Sequence, residues 1–437
     1  MGGGGFLESL LGILESTVAG FPESRKGKNR HYTIPDLARA AFAVFFCQSP
    51  SFLAHQRLMH QARGNNNGRT LFRIERLPSD NHIRAHLDQV NPQQLNPAFH
   101  QTLELLRQRG ALDPFRSLGN TIPIALDGTA YFSSEALHCP SCSVAHHRDG
   151  RTVYSHSALL AAVFKPAVPQ VLALPPEYIS PQDGHSKQDC ESAAALRWIE
   201  QFGPSYSRWG VTLVGDDLYA HQPLIVKVLD AQMGYLFTAK EPSHRYLYEE
   251  IESLGKLGEV KEMVVTCWTG RERRHYRYRY LNGVRLRAEE PSVEVNWCEL
   301  TITDDAGVVH YHSAFITSHL ISDENVAEVV ATGRGRWKIE NEDINTLKTK
   351  GYHFEHNFGH GKKFLSQTLL SLNLLAFLFH TVLELLDLRW AAIRHALPRR
   401  DTFFQHLAAL TQYICFDGWQ HLMHFMMEGL RLADPGG

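Results

Sequence analysis

The order of strand-like and helix-like patterns between residues 121 and 239 constrains the fold of this chain most strongly. Short apolar runs predict buried strands, and a 3.6-residue apolar period predicts helices. Along the chain the predicted elements are a strand at 121–126, one strand or two over 152–157 and 158–164, a strand at 170–174, a helix at 187–202, a strand at 211–214, a helix at 224–233 and a strand at 235–239. We therefore predict an α/β fold with a mixed sheet flanked by helices.

Antiparallel strands followed by helix, strand, helix and strand give the chain order of an RNase H-like core, which we expect here. A β-rich segment follows, and we interpret it as an insertion into that core. Its strands are predicted at 260–266, 273–280, 293–302 and 308–316. Asn282-Gly283 and residues 304–307 are predicted hairpin turns. Helix returns at Ser322, with Asn325 as its capping partner, and is predicted to continue past Trp337 to about Lys350.

Helical patterns dominate both ends of the chain. Phe6 to Leu14 and residues 35–46, 81–90 and 98–108 predict N-terminal helices, which the cluster from Gly64 to Gly68 is expected to separate. The predicted units are a helical N-terminal domain at 1–115, the first part of the core at 116–242, the insertion at 243–320, the second part of the core at 321–395 and a C-terminal helical segment at 396–437. The N-terminal domain is either a DNA-end-binding module or a packing domain only.

Composition excludes several classes of protein. The chain has 437 residues, 43% hydrophobic and 21% charged, which is typical of a packed protein rather than a disordered one. Because the net charge is −2, DNA binding has to come from local basic patches. Seven scattered cysteines without a secretory signal favour a reducing cytoplasm. Asn373, His380 and Glu384 interrupt the apolar run at 369–388, so we predict a buried helix and no membrane anchor.

Two aspartates follow predicted strands. Asp127 comes directly after the strand at 121–126, and Asp216 follows the strand at 211–214. Carboxylates at the ends of adjacent strands can share a divalent cation, and hard oxygen ligands suit Mg²⁺ or Mn²⁺. In-line cleavage of a phosphodiester uses such ions to activate the attacking oxygen and to stabilise the leaving one. We therefore predict that Asp127 and Asp216 are catalytic metal ligands.

Glu340 is the predicted third ligand. In a regular helix, positions 337, 340, 344 and 347 share one face, and three of them are the apolar Trp337, Ile344 and Leu347. A carboxylate in that buried stripe is costly unless it is paired or binds a metal. The alternatives are that both aspartates are turn residues and that Arg336 holds Glu340 in a helical ion pair. Asp217 is an alternative to Asp216 as the second ligand. More remote alternatives are Asp183, Asp189 and Glu191.

These residues resemble the DDE transposases of bacterial insertion sequences, in the group with a β insertion between the second Asp and the Glu. Arg336 and Glu340 match that group's Tyr-x2-Arg-x3-Glu-x6-Lys pattern, whereas Gly333 and Leu347 stand at its Tyr and Lys positions, with Lys348 next. The resemblance spans roughly residues 120–380. It also includes Asp127-Gly128-Thr129, Asp183-Gly184, Lys187-Gln188-Asp189-Cys190-Glu191, Phe315-Ile316-Thr317-Ser318, Gly351-Tyr352 and the stretch His356-Asn357-Phe358-Gly359-His360-Gly361.

The resemblance implies a dimeric transposase that acts on double-stranded DNA in the bacterial cytoplasm, associated with the nucleoid. Such an enzyme binds the inverted repeats of its own element, hydrolyses the strand ends and transfers the 3′ hydroxyls into target DNA. Arg336 and Lys348 would then contact phosphates near the scissile bond. The absent Tyr leaves open how this chain handles a hairpin or flipped-base step.

Basic and aromatic residues of the insertion suggest a second DNA contact. Arg273, Arg277 and Arg279 fall on one strand face and the intervening tyrosines on the other. Trp268 and Trp297 are candidates for stacking on an unpaired base. Lys338 and Lys348, with Lys350, Lys362 and Lys363, offer a basic surface near the predicted active site. An edge hairpin with exposed Arg and half-buried Tyr is the alternative.

Cys139 and Cys142 have the spacing of half a zinc site. The remaining ligands would be His146 or His147, or the more distant His185 or Cys190. Because one Cys-x2-Cys supplies only two ligands, the pattern favours free thiols over a structural Zn²⁺. For the whole protein, the alternatives to a transposase are a two-metal nuclease that cuts without joining, and a DNA-binding derivative whose carboxylates no longer bind metal.

Overall fold

The computed structural model describes residues 5–23, 25, 31–59, 64–181 and 189–435. Within these ranges, eleven strands form one mixed sheet that is flanked by helices, as predicted. The strands are β1 (Ile122–Ser134), β2 (Ser143–His146), β3 (Thr152–Lys165), β4 (Val168–Ala173), β5 (Glu177–Ile179), β6 (Val211–Gly215), β7 (Gly234–Thr238), β8 (Lys261–Trp268), β9 (Arg273–Arg285), β10 (Glu294–Thr303) and β11 (Val309–Thr317).

The sheet order is β2-β3-β1-β6-β7-β11-β10-β9-β8, with β4 and β5 also paired to β3. β1 is antiparallel to β3 and parallel to β6, which is in turn parallel to β7. Residues 152–164, predicted as one strand or two, form one continuous strand, β3. Its central residues, like those of β6, are buried, as expected for strands covered on both faces.

The predicted insertion continues the core sheet. β11 pairs antiparallel with β7, with Phe315 opposite Thr238, so β8 to β11 extend the same sheet beyond the core strands. The hairpin turn predicted at Asn282-Gly283 is wrong, because both residues lie inside β9. The Asn282 side chain accepts a hydrogen bond from the Ile321 N–H at 3.0 Å, and Gly283 has φ +71°, next to a register shift between β9 and β10. The pair forms a β-bulge. The turn predicted at 304–307 is present, closed by the hydrogen bond from Gly307 N to Asp304 O.

Helices surround the sheet and form both ends of the described chain. They are α1 (Phe6–Ala19), α2 (Ile34–Phe46), α3 (Phe52–Met59), α4 (Gly64–Phe72), α5 (Asp80–Leu87), α6 (Asn96–Gln108), α7 (Glu191–Tyr206), α8 (Gln222–Asp230), α9 (Arg245–Lys256), α10 (Val326–Arg334), α11 (Asn345–Thr349), α12 (Leu365–Leu386), α13 (Leu388–Ala396), α14 (Arg400–Tyr413) and α15 (Trp419–Gly429). Thr33 begins α2 with a full capping box to Asp36.

The helices of the two chain ends pack as one layer. Buried Asn67 donates to the carbonyls of Thr411 and Ile414 and accepts from the Phe416 N–H. Trp419 Nε1 donates to Leu71 O at 2.7 Å. The Gly/Asn-rich stretch was predicted to separate helices, but it forms the helix α4. These contacts explain the difference, because tertiary packing overrides low helix propensity. The segments predicted as separate units at 1–115 and 396–437 therefore share a packed interior.

α12 runs through the centre of the molecule and packs against both α2 and β4. It has the length and apolar character of a membrane span, but 83% of its most apolar stretch is buried within the protein. This burial agrees with the predicted buried helix. The helix therefore joins the terminal helical layer to the sheet.

The helix predicted to run from Ser322 to about Lys350 is divided into three parts. α10 begins at Val326 and ends at Arg334, a π-helix spans Ile339–Ile344, and α11 follows directly. Ser322 contributes its backbone carbonyl to the first turn of α10, and its N–H donates to Asn325 Oδ1. A π-helix closes hydrogen bonds over five residues rather than four, so it shifts the phase of every side chain that follows.

Candidate active site

Strand register brings Asp127 and Asp216 together. Ala125 on β1 is paired in parallel with Val214 on β6, and each aspartate lies two residues beyond its paired residue. Neighbouring strands lie about 4.8 Å apart, and residues two apart point to the same face. The two carboxylates are therefore side by side on one face. β6 ends at Gly215 as predicted, but β1 does not end at Asp127: it continues to Ser134, with Asp127 opposite Leu160 of β3.

Arg336 joins Glu340 to this pair of aspartates. Its Nη2 lies 2.6 Å from Glu340 Oε1, and its Nη1 lies 3.7 Å from Asp127 Oδ1. The helical ion pair considered as an alternative for Glu340 is thus present, and the same guanidinium reaches across to Asp127. The structure therefore gathers the three predicted carboxylates at one place, with a positive charge among them.

The predicted burial of Glu340 is wrong. Its side chain is 47% exposed, and Trp337 of the same predicted stripe is also exposed, while Ile344 and Leu347 are buried. The stripe was predicted for a regular helix, and the π-helix starting at Ile339 breaks that periodicity. Exposure leaves the Glu340 carboxylate accessible to an ion or to DNA, which the predicted burial would not.

Electrostatics at Asp127 reflect the crowding of carboxylates. The pKa of Asp127 is raised to about 7, chiefly by burial. The charge of Arg336 opposes this rise, and the negative charges of Glu340, Glu191 and Asp216 contribute to it. Like charges at close range disfavour ionisation unless a cation compensates them. The donor set of hard carboxylate oxygens therefore fits Mg²⁺ or Mn²⁺.

The structure separates Asp216 from its competitors. Asp217 accepts hydrogen bonds from Lys240 N at 2.6 Å and from Ser243 Oγ at 2.5 Å, so it fastens the loop after β7. Asp189 forms a two-pronged ion pair with Arg197. Asp183 lies outside the described residues. Asp216 accepts from Leu218 N through Oδ1 and faces the carboxylate cluster.

Glu191 is a fourth carboxylate at the site, which the sequence suggested only as a distant competitor. It is the first residue of α7, and its Oε1 accepts a hydrogen bond from the buried Tyr219 hydroxyl at 2.5 Å. A Cβ atom added at Gly128 would overlap the Glu191 carboxylate. Gly128 thus leaves room for Glu191 beside Asp127. A glycine directly after Asp127 could have indicated from the sequence that another side chain, here Glu191, approaches closely at this point.

Two residues predicted to contact DNA, Lys338 and Trp297, are buried in the protein. Lys338 is 4% exposed, with its Nζ 5.5 Å from the centre of the Trp337 ring. Trp297 is 1% exposed, beneath Arg279 and Tyr248, so neither ring face is open to a base. Both are inward-facing positions of their elements, which local patterns did not distinguish. Trp268 is 66% exposed and keeps an open ring.

The remaining basic residues are exposed or partly exposed, and several are ion-paired. Lys348 Nζ lies 2.8 Å from Glu355 Oε1. On β9, Arg273 is exposed, whereas Arg277 pairs with Glu262 and Arg279 with Glu299, each at 2.7 Å. Tyr278 and Tyr280 are buried on the opposite face, as predicted. The predicted basic ribbon is therefore a face of mixed charge.

The cysteine pair has other partners than those predicted. Cys139 and Cys142 come together with His156 of β3 and His360, which precedes α12. His146 instead contacts Thr152, and both His146 and His147 are exposed. Cys190 precedes α7, and His185 lies outside the described residues. His156 follows Cys142 by 14 residues, a spacing typical of zinc sites that could have indicated it. His360 is 218 residues from Cys142, so no local spacing could indicate it.

Known proteins offer only a distant likeness to this chain. No protein-family model and no curated protein matches it. Among solved structures, the protein is similar to a piggyBac transposase in a synaptic complex with hairpin DNA, determined by cryo-EM. The identity is 10% and the TM-score 0.39, over 98% of this chain and 83% of that chain.

Proposed function

We propose that this protein is a DDE transposase, which cleaves double-stranded DNA at the ends of its own element and joins the 3′ ends to target DNA as a dimer. The observation that carries the proposal is that Arg336 links Glu340 to Asp127, beside which strand register puts Asp216. The two aspartates come from neighbouring parallel strands and the glutamate from a distant helix. If the aspartates were only turn residues and Glu340 only the partner of Arg336, the three carboxylates would have no reason to lie together.

Sheet topology supports an RNase H-like core. The order β3-β1-β6-β7, with β1 antiparallel to β3 and parallel to β6, places the first aspartate on the central strand and the second on its parallel neighbour. The helices α7 and α8 separate β5, β6 and β7 along the chain. These features are what the RNase H-like interpretation of the sequence requires. The likeness of residues 335–361 to insertion-sequence transposases is consistent with it.

Asp127, Asp216 and Glu340 would hold the divalent ions. Bound Mg²⁺ or Mn²⁺ would lower the charge on the scissile phosphate and activate the attacking oxygen. Glu191, fixed by Tyr219, would complete the acidic rim or accept a proton from the attacking hydroxyl. Arg336, once released from the carboxylates by a metal ion, would be free to contact a phosphate oxygen, and Lys348 would lie one helical segment further along.

The proposed chemistry has two balanced steps. In the first, the oxygen of water bonds to phosphorus and water loses a proton, while the bond from phosphorus to the 3′ oxygen breaks and that oxygen takes up a proton to become a hydroxyl. In the second, that hydroxyl bonds to phosphorus in the target strand, loses its proton, and displaces the target's own 3′ oxygen. The residues of the chain orient these oxygens and stabilise the developing charge.

The test is a paired assay of cleavage and joining on DNA that contains the element's own ends. Wild type should cut and join with Mg²⁺ or Mn²⁺, and Asp127→Asn, Asp216→Asn and Glu340→Gln should each lose both activities by about 10³-fold or more, because several kcal/mol of charge stabilisation disappear. Asp217→Asn is the matched control for a carboxylate outside the cluster. Cleavage without joining would identify a nuclease, and DNA binding without cleavage a silent derivative.

A further inference from the structure

We propose that Cys139, Cys142, His156 and His360 form a tetrahedral Zn²⁺ site, separate from the carboxylate site. The four possible ligand atoms all lie within 4.8 Å of one another. They come from three distant parts of the chain: the segment between β1 and β2, strand β3, and the segment between α11 and α12. The zinc proposal does not rest on the proposed transposase activity.

Four of the six distances between the donor atoms match those of a tetrahedral zinc centre, and the other two are within 4.8 Å. Zn–S bonds of about 2.3 Å and Zn–N bonds of about 2.0–2.1 Å place sulfurs about 3.8 Å apart, and a sulfur and a nitrogen about 3.6 Å apart. The two Sγ atoms are separated by 3.9 Å. His156 Nε2 lies 3.5 Å from each Sγ, and His360 Nε2 lies 3.6 Å from Cys142 Sγ. The arrangement needs little rearrangement to bind the ion.

A disulfide or a purely hydrogen-bonded cluster fits these four side chains less well. A disulfide requires sulfurs about 2.05 Å apart, and Cys139 and Cys142 are free thiols at almost twice that distance. Hydrogen bonds alone would leave two thiols and two imidazoles, all weak partners for one another, gathered in a mostly buried place. Two thiolates with two imidazoles select zinc among common cellular cations, whereas Mg²⁺ prefers oxygen ligands.

Surrounding residues hold the ligands in place. The Cys139 N–H donates to Cys142 Sγ at 3.4 Å, and such a bond stabilises a thiolate. The Tyr131 ring stacks on His156 with its centre 5.7 Å away, and Phe132 lies 4.8 Å from the His360 ring. These aromatic contacts shield the site from water. Aromatic residues of β1 therefore hold both histidine ligands in place.

The site would act as a clamp on the catalytic region. His156 lies opposite Phe132 on β1, five residues beyond Asp127, which is about 16 Å along a strand. His360 belongs to the segment that follows the Glu340 helix. A zinc ion would therefore tie the strand that carries Asp127 to the chain that leaves Glu340, so that both carboxylates keep their relative positions.

The experiment measures the metal content of protein purified without a metal-affinity step, together with the absorption of the Co²⁺-substituted protein. Wild type should contain about one zinc per chain. Its Co²⁺ form should show the d–d bands of tetrahedral cobalt and a thiolate charge-transfer band. Cys142→Ser and His360→Asn should each lose the zinc. Cys267→Ser, at an exposed cysteine of β8, and Asp127→Asn should both retain it.

Three outcomes overturn the proposal. In the first, wild type takes up no stoichiometric zinc even when supplied with it; in the second, zinc survives both Cys142→Ser and His360→Asn; the third is an octahedral Co²⁺ spectrum. The Co²⁺ spectrum of wild type decides the matter if a variant does not fold, since an octahedral spectrum without thiolate bands excludes the site. Asp127→Asn should be inactive but should retain its zinc. The zinc site and the transposase proposal can therefore fail separately.

Discussion

Asp343 is the most unusual single residue near the site. It is completely buried in the π-helix, and in the described part of the chain neither carboxylate oxygen has a hydrogen-bond partner. Burial raises the pKa of Asp343 to about 8. An unpaired buried charge is expensive, so the side chain is held in its neutral form. The π-helix thus places one acid outward, at Glu340, and one inward, at Asp343.

We predict that Asp343→Asn stabilises the protein more at pH 8 than at pH 5. Between the ordinary carboxyl pKa of 3.8 and about 8, the folded protein holds a proton that the unfolded chain has released. Folding stability therefore falls as pH rises through this window, by up to about 1.4 kcal/mol per pH unit. Urea unfolding at several pH values measures the difference. A stability gap that stays constant from pH 5 to pH 8 would contradict this account of Asp343.

A second prediction concerns Gly128. Alanine there would drive its Cβ into the Glu191 carboxylate, so the Glu191 side chain has to leave its place beside Asp127. We expect Gly128→Ala to weaken Mn²⁺ binding and cleavage by about 10–100-fold while the fold is kept, because a neighbour that orients metal ligands is lost. Glu191→Gln should reproduce the defect.

The control for this prediction is Gly12→Ala, since a Cβ at Gly12 meets no atom within 4 Å. It should leave metal binding and cleavage unchanged. If Gly128→Ala behaves like Gly12→Ala, Glu191 has no part in the site.

Among the elements, β9 shows how a sequence pattern can overstate a binding surface. Alternation placed the arginines and tyrosines on opposite faces correctly, because strand periodicity is local. The pairing of Arg277 with Glu262 depends on which strand lies next to β9, and that is set by tertiary structure. The same limit explains why the burial of Trp297 was not predicted, because that burial depends on α9 packing over the sheet.

If the β9 face contacts DNA, Glu262→Gln should strengthen binding. Removing this carboxylate frees Arg277 to pair with a phosphate, which should steepen the dependence of log K on log[salt] by about 0.9. Arg277→Ala in the wild-type background should change that slope little. Fluorescence anisotropy with a DNA duplex at several KCl concentrations measures both. An unchanged affinity and slope for Glu262→Gln would remove β9 from the DNA interface.

The helix that carries Glu340 shows a different limit. Apolar spacing located the helix correctly, and Ile344 and Leu347 are buried as expected. The π-helix changes the phase between these residues and Glu340, and a change from four-residue to five-residue hydrogen bonding has no simple local signature. The sequence therefore identified the candidate carboxylate but assigned the wrong environment to it.

For the whole molecule, the sequence predicted the order of the core elements better than their partners. Strand and helix patterns are local, so β1, β3, β6 and β7 were found in the right order. Contacts over long separations were not: the pairing of β11 with β7, the joining of the two helical ends through Asn67, and the approach of His360 to Cys142. These contacts also decide which candidate residues meet at a site.

The central claim is that Asp127, Asp216 and Glu340 hold divalent metal ions together. The most direct measurement is the binding of Mn²⁺ to the protein–DNA complex, followed by electron paramagnetic resonance of the free ion. We predict that Asp127→Asn, Asp216→Asn and Glu340→Gln each weaken Mn²⁺ binding at least about tenfold, whereas Asp217→Asn leaves it unchanged. The claim would be contradicted if the three variants bound Mn²⁺ as wild type does, or if Asp217→Asn alone lost the ion.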